Sequence, residues 1–236
     1  MAKKKRKYKL KKSGLVLIIS LVILIAALAG YLIIRERERN FTYKKHLSDT
    51  AYSIEGESVA LKDVSYYIWK VEKQINEMAI TYNPDNPNEF WNTYFRAQMD
   101  STFTRDYAKD IARQISVYDD VMMREAQEYQ ITLTSSEKAK ADEEAQDCLD
   151  SMTDYAVKET GITIEELKHA FENEAIIRKY IERASVDIAA QGYSGDVSDQ
   201  LIYTGDYYKE KILTKYNVQY NEDLWGKITM GKVTLE

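Results

Sequence analysis

The sequence predicts a mainly α fold. It comprises a single N-terminal transmembrane helix, an extracytoplasmic bundle of long helices, and a small β element made of a hairpin and a terminal strand. Three observations predict it. Residues 14–34 read GLVLIISLVILIAALAGYLII, without a charged side chain. Only two prolines and nine glycines punctuate 236 residues, too few for the turns of a many-stranded sheet. Downstream, apolar residues recur at i, i+4 and i+7 over several long segments, the period of a helix with one buried face.

The N-terminal run comes first. A helix rises 1.5 Å per residue, so roughly 20 apolar residues match the ~30 Å hydrocarbon core of a bilayer. Lys3, Lys4, Lys5, Arg6, Lys7, Lys9, Lys11 and Lys12 precede the run without an acid among them. Arg35, Arg37, Arg39, Lys44 and Lys45 follow it, interleaved with Glu36 and Glu38. Cationic flanks stay cytoplasmic, and the denser block is N-terminal. The expectation is a single-pass protein of the cell membrane, with residues 1–13 a basic cytoplasmic tail, 14–34 a signal anchor, and the bulk of the chain extracytoplasmic. Ala27-Leu28-Ala29 also fits a signal-peptide cleavage pattern, although the apolar run continues past it to Ile34. Tyr31 stands where lipoprotein processing requires Cys, which excludes a lipid anchor.

Charge and cysteine usage narrow the rest. The chain carries 33 basic and 38 acidic residues, net −5, and without the eight N-terminal cations the balance is 25 against 38. An acidic body gives no footprint for nucleic acid. Cys148 is the only cysteine, so no intrachain disulfide forms and packing alone must hold the fold.

Residues 35–50 are polar and read as a juxtamembrane linker. In residues 51–61, Tyr52, Ile54, Val59 and Leu61 flank Glu55-Gly56, which predicts a short hairpin. From Lys62 the period becomes helical, with Val64, Ile68, Val71, Ile75, Met78 and Tyr82 on one stripe. The cluster Asn83-Pro84-Asp85-Asn86-Pro87-Asn88 ends that helix, and a short helix through Phe90, Trp91, Tyr94 and Phe95 is expected next. The longest helix spans residues 103–129, about 40 Å. Its predicted inward stripe is Phe103, Tyr107, Ile111, Ile115, Tyr118, Met122, Ala126 and Tyr129. Thr134 and Glu137 fit a capping box opening a helix that runs to Gly161. Thr163 and Glu166 repeat the box before a helix with Leu167, Phe171, Ile177, Ile181 and Ala184 inward. Residues 190–206 read as a connection, Tyr208, Ile212 and Tyr216 as a helix, and 228–235 as a strand.

Little covalent chemistry is on offer. His46 lies in the linker and His169 on a polar helix face, and both read as solvated. There is no His/Cys/carboxylate cluster with metal spacing, no glycine-rich phosphate loop and no serine elbow, so no catalytic residue, metal or cofactor is assigned. Cys148 sits on an apolar stripe and reads as inert packing. The surplus lies in 19 tyrosines, seven methionines and three tryptophans. Packing accounts for most of them. The rest offer adaptable amphipathic contact area for an apolar polypeptide, with Tyr67, Trp69, Trp91, Tyr94, Phe95, Tyr107, Tyr118 and Met122 as candidate client contacts.

From Ile54-Glu55-Gly56-Glu57 through Val59-Ala60-Leu61-Lys62-Asp63, the chain resembles the SurA/PrsA foldases in their N-terminal, trigger-factor-like chaperone domain. There a hairpin leads into the first helix, and a long helix ends in a pattern matched here by Ala126-Gln127-Glu128-Tyr129-Gln130-Ile131-Thr132-Leu133-Thr134-Ser135-Ser136-Glu137. Gly161-Ile162-Thr163 and Arg178-Lys179-Tyr180-Ile181 fit the later helices. The resemblance covers about residues 51–185 and implies a chaperone domain over 51–189, with residues 190–236 packing back on it. Gln130 replaces the family's Gly, and Ala60 its usual Ser or Thr cap. About 25 residues follow Ala184 before the last predicted helix, which leaves no room for the family's parvulin isomerase domain.

The resemblance therefore implies a membrane-anchored, non-enzymatic chaperone that binds unfolded or nascent exported proteins, held to the membrane through residues 14–34. A peptidyl-prolyl isomerase, by family association, and an envelope scaffold that grips one partner are the alternatives. Self-association into a homo-oligomer is compatible with all three.

Overall fold

The computed structural model describes residues 12–39, 41–97, 100–189 and 196–233, with side chains placed except at 12–18, 34–39 and 95–101. The chain divides into two compact units, one ending at Phe41 and one beginning at Thr42. The first is helix α1 (Lys12–Arg39), whose placed side chains from Ile19 to Ile33 face outward.

The expected transmembrane anchor, and with it the single-pass membrane location, is corrected here. Among the described residues no helix is long and apolar enough to cross a membrane.

The second unit is mainly helical with a small sheet. A tight turn at Tyr43–Lys45 buries Tyr43, so the fold begins inside the stretch expected to be linker. β1 (Thr50–Ile54) and β2 (Glu57–Ala60) form the predicted hairpin, with Tyr52 opposite Val59 and Ile54 opposite Glu57. Glu55 and Gly56 both adopt positive φ, 52° and 83°, the two-residue turn whose twist suits a hairpin. β5 (Val218–Tyr220) adds a third antiparallel strand on the other side of β1, pairing Tyr52 with Tyr220. The strand expected at 228–235 is not formed over its described residues, 228–233; the partner of β1 lies earlier in the chain.

α2 (Leu61–Tyr82) follows without a side-chain cap, since Ala60 has no acceptor; Asp63 compensates by accepting the Ala60 N–H at 3.2 Å. α2 ends at Asn83, whose Oδ1 accepts the N–H groups of Asp85 and Asn86. α3 (Pro87–Phe90) is a single turn. The helix expected to continue through Tyr94 and Phe95 is instead β3 (Tyr94–Ala97), paired with β4 (Asp100–Phe103). Thr93 makes the switch: its hydroxyl bonds back to Phe90 O at 2.7 Å, and its own carbonyl accepts the Thr104 N–H at 2.9 Å, closing the hairpin base.

α4 (Thr104–Glu128) packs on α2 and on α7 (Ile164–Ala189). Its buried face includes Met122 and Ala126 of the predicted stripe but departs from it over the first half of the helix. Ala108, Ala112 and Ser116 line the contact, while Tyr107, Ile111, Ile115 and Tyr118 flank it half-buried. Small residues let helices approach closely, and large ones then fill the shoulders. The expected 135–160 helix is two. α5 (Ser135–Asp150) carries the predicted capping box, with Thr134 and Glu137 reciprocally bonded. α6 (Asp154–Thr160) restarts where the Thr153 hydroxyl caps Ala156 N–H, and Gly161 closes it. Thr163 and Glu166 cap α7 as expected. Gln130 holds φ +53°, a left-handed conformation that Gly adopts without strain. After α8 (Val197–Leu201), the predicted helix at Tyr208 is one π-turn, Tyr208–Ile212, and α9 (Glu222–Trp225) leads to a C-terminal segment, 226–233, of turns and bends.

Candidate functional site

The tyrosine surplus resolves into two populations. The larger is internal. α4 carries three acids toward the core, and each receives a phenol. Tyr52 donates to Asp120 at 2.5 Å, Tyr67 to Asp119 at 2.6 Å, and Tyr216 to Glu125 at 3.0 Å. Tyr66 donates to Glu174 on α7, which also pairs with Lys70 at 2.6 Å. Both Glu125 oxygens lie 2.9 Å from Lys215 Nζ. A buried carboxylate needs partners, and a ring that buries while its hydroxyl donates satisfies both demands.

Burial, then the neighbouring carboxylate charge, pushes the Tyr52, Tyr66 and Tyr67 phenols well up. They remain donors and cannot serve as bases near neutral pH. Burial pushes Asp119 up to about 7, but the side chain is sealed beneath Tyr67. A cavity of about 220 Å³ opens beside this cluster, lined by Tyr52, Tyr66, Asp120, Glu166 and His169 among others. Among the described residues, no Ser, Thr or Cys lines it; the Cys148 thiol lies elsewhere and is pushed up by burial. Among the described residues, no group of three or more His, Cys, Asp or Glu side chains can hold a metal.

The second population is exposed: Tyr82 and Tyr94 gather at one end of α2, while Tyr155 lies on α6 and Tyr31 on α1. Tyr82 and Phe90 pack with ring centroids 5.3 Å apart, and Tyr94 stacks on Phe103 at 4.4 Å. Tyr82 is 61% exposed and Tyr94 65%. Phe90 and Tyr94 are four residues apart, so the two pairs lie within about 14 Å along the chain. Met78 and Ile80 add exposed aliphatic surface on the same helix end. Trp91, between the pairs in sequence, is buried with no partner for its indole N–H among the described residues.

The C-terminal segment packs against that tryptophan. Gly231 adopts φ +81°, and a Cβ there would stand 2.7 Å from the Trp91 ring. Ile228, Met230 and Val233 are buried. Glu72, on the buried face of α2, accepts the N–H groups of Gly231 at 2.8 Å, Lys232 at 3.4 Å and Val233 at 2.8 Å. Arg113 holds the preceding turn: it stacks on Tyr220 and Trp225 and pairs with Glu222 at 2.6 Å.

The candidate contacts therefore divide. Tyr67, Trp69, Trp91 and Met122 are buried and belong to the packing; Tyr107 and Tyr118 are half-buried on α4. Tyr94 alone stands on the exposed ledge, and the Phe95 side chain lies outside the described residues. Tyr82, Phe90 and Phe103 were missed as contacts because periodicity placed them on inward stripes or gave them no role. The legible clue was position: each sits at the end of an element, where the neighbouring helix no longer covers it. Glu72 had a clearer signal, an acid on the stripe of Ile68, Trp69 and Ile75.

No family model, curated protein or solved structure matches the chain. The SurA/PrsA resemblance rests on its residue motifs alone.

Proposed function

We propose that the unit from Thr42 onward binds unfolded or nascent polypeptides non-covalently, laying apolar segments across the ledge of Tyr82, Phe90, Tyr94 and Phe103. One observation carries this reading. At one end of α2 the fold leaves Tyr82, Tyr94 and Phe103 exposed, Tyr82 tilted against half-buried Phe90 and Tyr94 stacked on Phe103, with Met78 exposed on the Tyr82 face of the helix. Exposed aromatic and Met side chains give large contact area at low conformational cost and adapt to varied partners.

The test is suppression of aggregation of a chemically unfolded model protein by the full chain, compared with a Tyr82→Ser, Tyr94→Ser, Phe103→Ser chain. The wild type suppresses aggregation at equimolar ratio, and the variant loses at least half of that effect. Because α1 is the same in both chains, the difference reports the ledge. Equal suppression by both chains, or none at stoichiometric excess, sinks the reading.

A further inference from the structure

The chain already holds an irregular segment with three buried apolar side chains, and that segment is its own. Residues 226–233 add no strand to the sheet, yet Ile228, Met230 and Val233 are as buried as the core. Two features fix this segment. The Glu72 carboxylate gathers three backbone N–H groups, a contact that reads main chain rather than side chain. The Trp91 ring admits only a residue without Cβ at position 231, and the φ of +81° there demands the same. The fit is incomplete at one point, because the buried Trp91 indole N–H finds no acceptor among the described residues.

We infer that the groove formed by Glu72 and Trp91 is a polypeptide-binding site in its own right, occupied in cis by residues 226–233, and that a segment of another chain displaces this strap. The occupant's chemistry follows from the strap: aliphatic side chains flanking a Gly, in the order Ile228-Thr229-Met230-Gly231-Lys232-Val233, with free main-chain N–H groups after the Gly for Glu72. A carbonyl presented to the Trp91 N–H gives an incoming segment a hydrogen bond that the strap lacks. The strap thus covers the groove until a client competes for it. The inference rests on the reading of this end of the molecule as polypeptide-binding, and adds its regulation.

The experiment follows a fluorescently labelled peptide of residues 226–233 by anisotropy against the full chain and against full-length Gly231→Ala, whose own strap is loosened by the Trp91 clash. The peptide binds Gly231→Ala at least tenfold more tightly than wild type, and binding is lost when Glu72→Gln is added. Binding to neither chain, or equally to both, overturns the inference. Should circular dichroism show Gly231→Ala unfolded, hydrogen exchange on the folded wild type decides. Amides of residues 231 and 233 that exchange before those of α2 and α4 support a displaceable strap; exchange only in step with those helices overturns it. The same titration on a Gly231→Ala chain carrying Tyr82→Ser, Tyr94→Ser and Phe103→Ser separates the two readings. If the ledge has no role, client suppression is unchanged by those substitutions; if the groove has none, peptide exchange is absent whatever the ledge does.

Discussion

Replacing Asp119 by Asn removes a charge that the fold keeps at a cost. The side chain is 6% exposed and accepts a hydrogen bond from Tyr67. Burial drives its pKa from an ordinary 3.8 to about 7; the negative charges of Glu174 and Asp120 add to the rise, while the Tyr67 hydrogen bond and Lys70 oppose it. A folded pKa above the unfolded one means that protonation favours the fold. The stability so conferred is whole below about 3.8 and is lost as pH rises through about 7. The interval of about 3 pH units corresponds to ~4 kcal/mol at 1.36 kcal/mol per unit. About 2 kcal/mol of this falls between roughly pH 5.5 and 8.5. Asn still accepts from Tyr67 and does not titrate. Urea denaturation followed by circular dichroism at the two pH values measures the effect. Wild type loses about 2 kcal/mol more than Asp119→Asn between them, and the variant is the more stable chain at the higher pH. Parallel losses in both chains would refute the assignment of the titration to Asp119.

Three further outcomes follow from particular contacts. Glu72→Gln sets an amide N–H2 against three backbone donors, and its unfolding free energy falls by about 2–3 kcal/mol in urea melts. Lys215→Met leaves Glu125 with its tyrosine partners alone and costs about 2 kcal/mol in the same assay. Gln130→Gly relieves a side chain held at φ +53°. It raises the thermal midpoint, by the equivalent of about 0.5–1 kcal/mol, because left-handed backbone is strained for any residue with a Cβ.

Local signals were legible where the physics is local. The Glu55-Gly56 turn, the capping boxes at Thr134 and Thr163, and the extent of α2 and α4 each depend on a few residues near in sequence, and each forms where the pattern places it. The break between α5 and α6 escaped because Thr153 caps as locally as Thr134 but inside an unbroken apolar period. Tyr94 and Phe95 read as helix because a two-stranded hairpin so short carries no period long enough to contradict it.

By itself, then, the sequence determined a mainly helical body with a hairpin at its start, since hydrogen bonds within a helix or across a two-residue turn need no distant partner. Only the tertiary structure decided which stripe of α4 is inward, where the third strand comes from, and what the tyrosines do. Those answers depend on residues 52, 67 and 216 reaching acids on α4, and on residues 231–233 reaching Glu72 across 159 to 161 positions. A phenol and a carboxylate far apart in sequence leave no period between them. Their pairing becomes necessary only when packing has buried both and removed the water that would otherwise satisfy them.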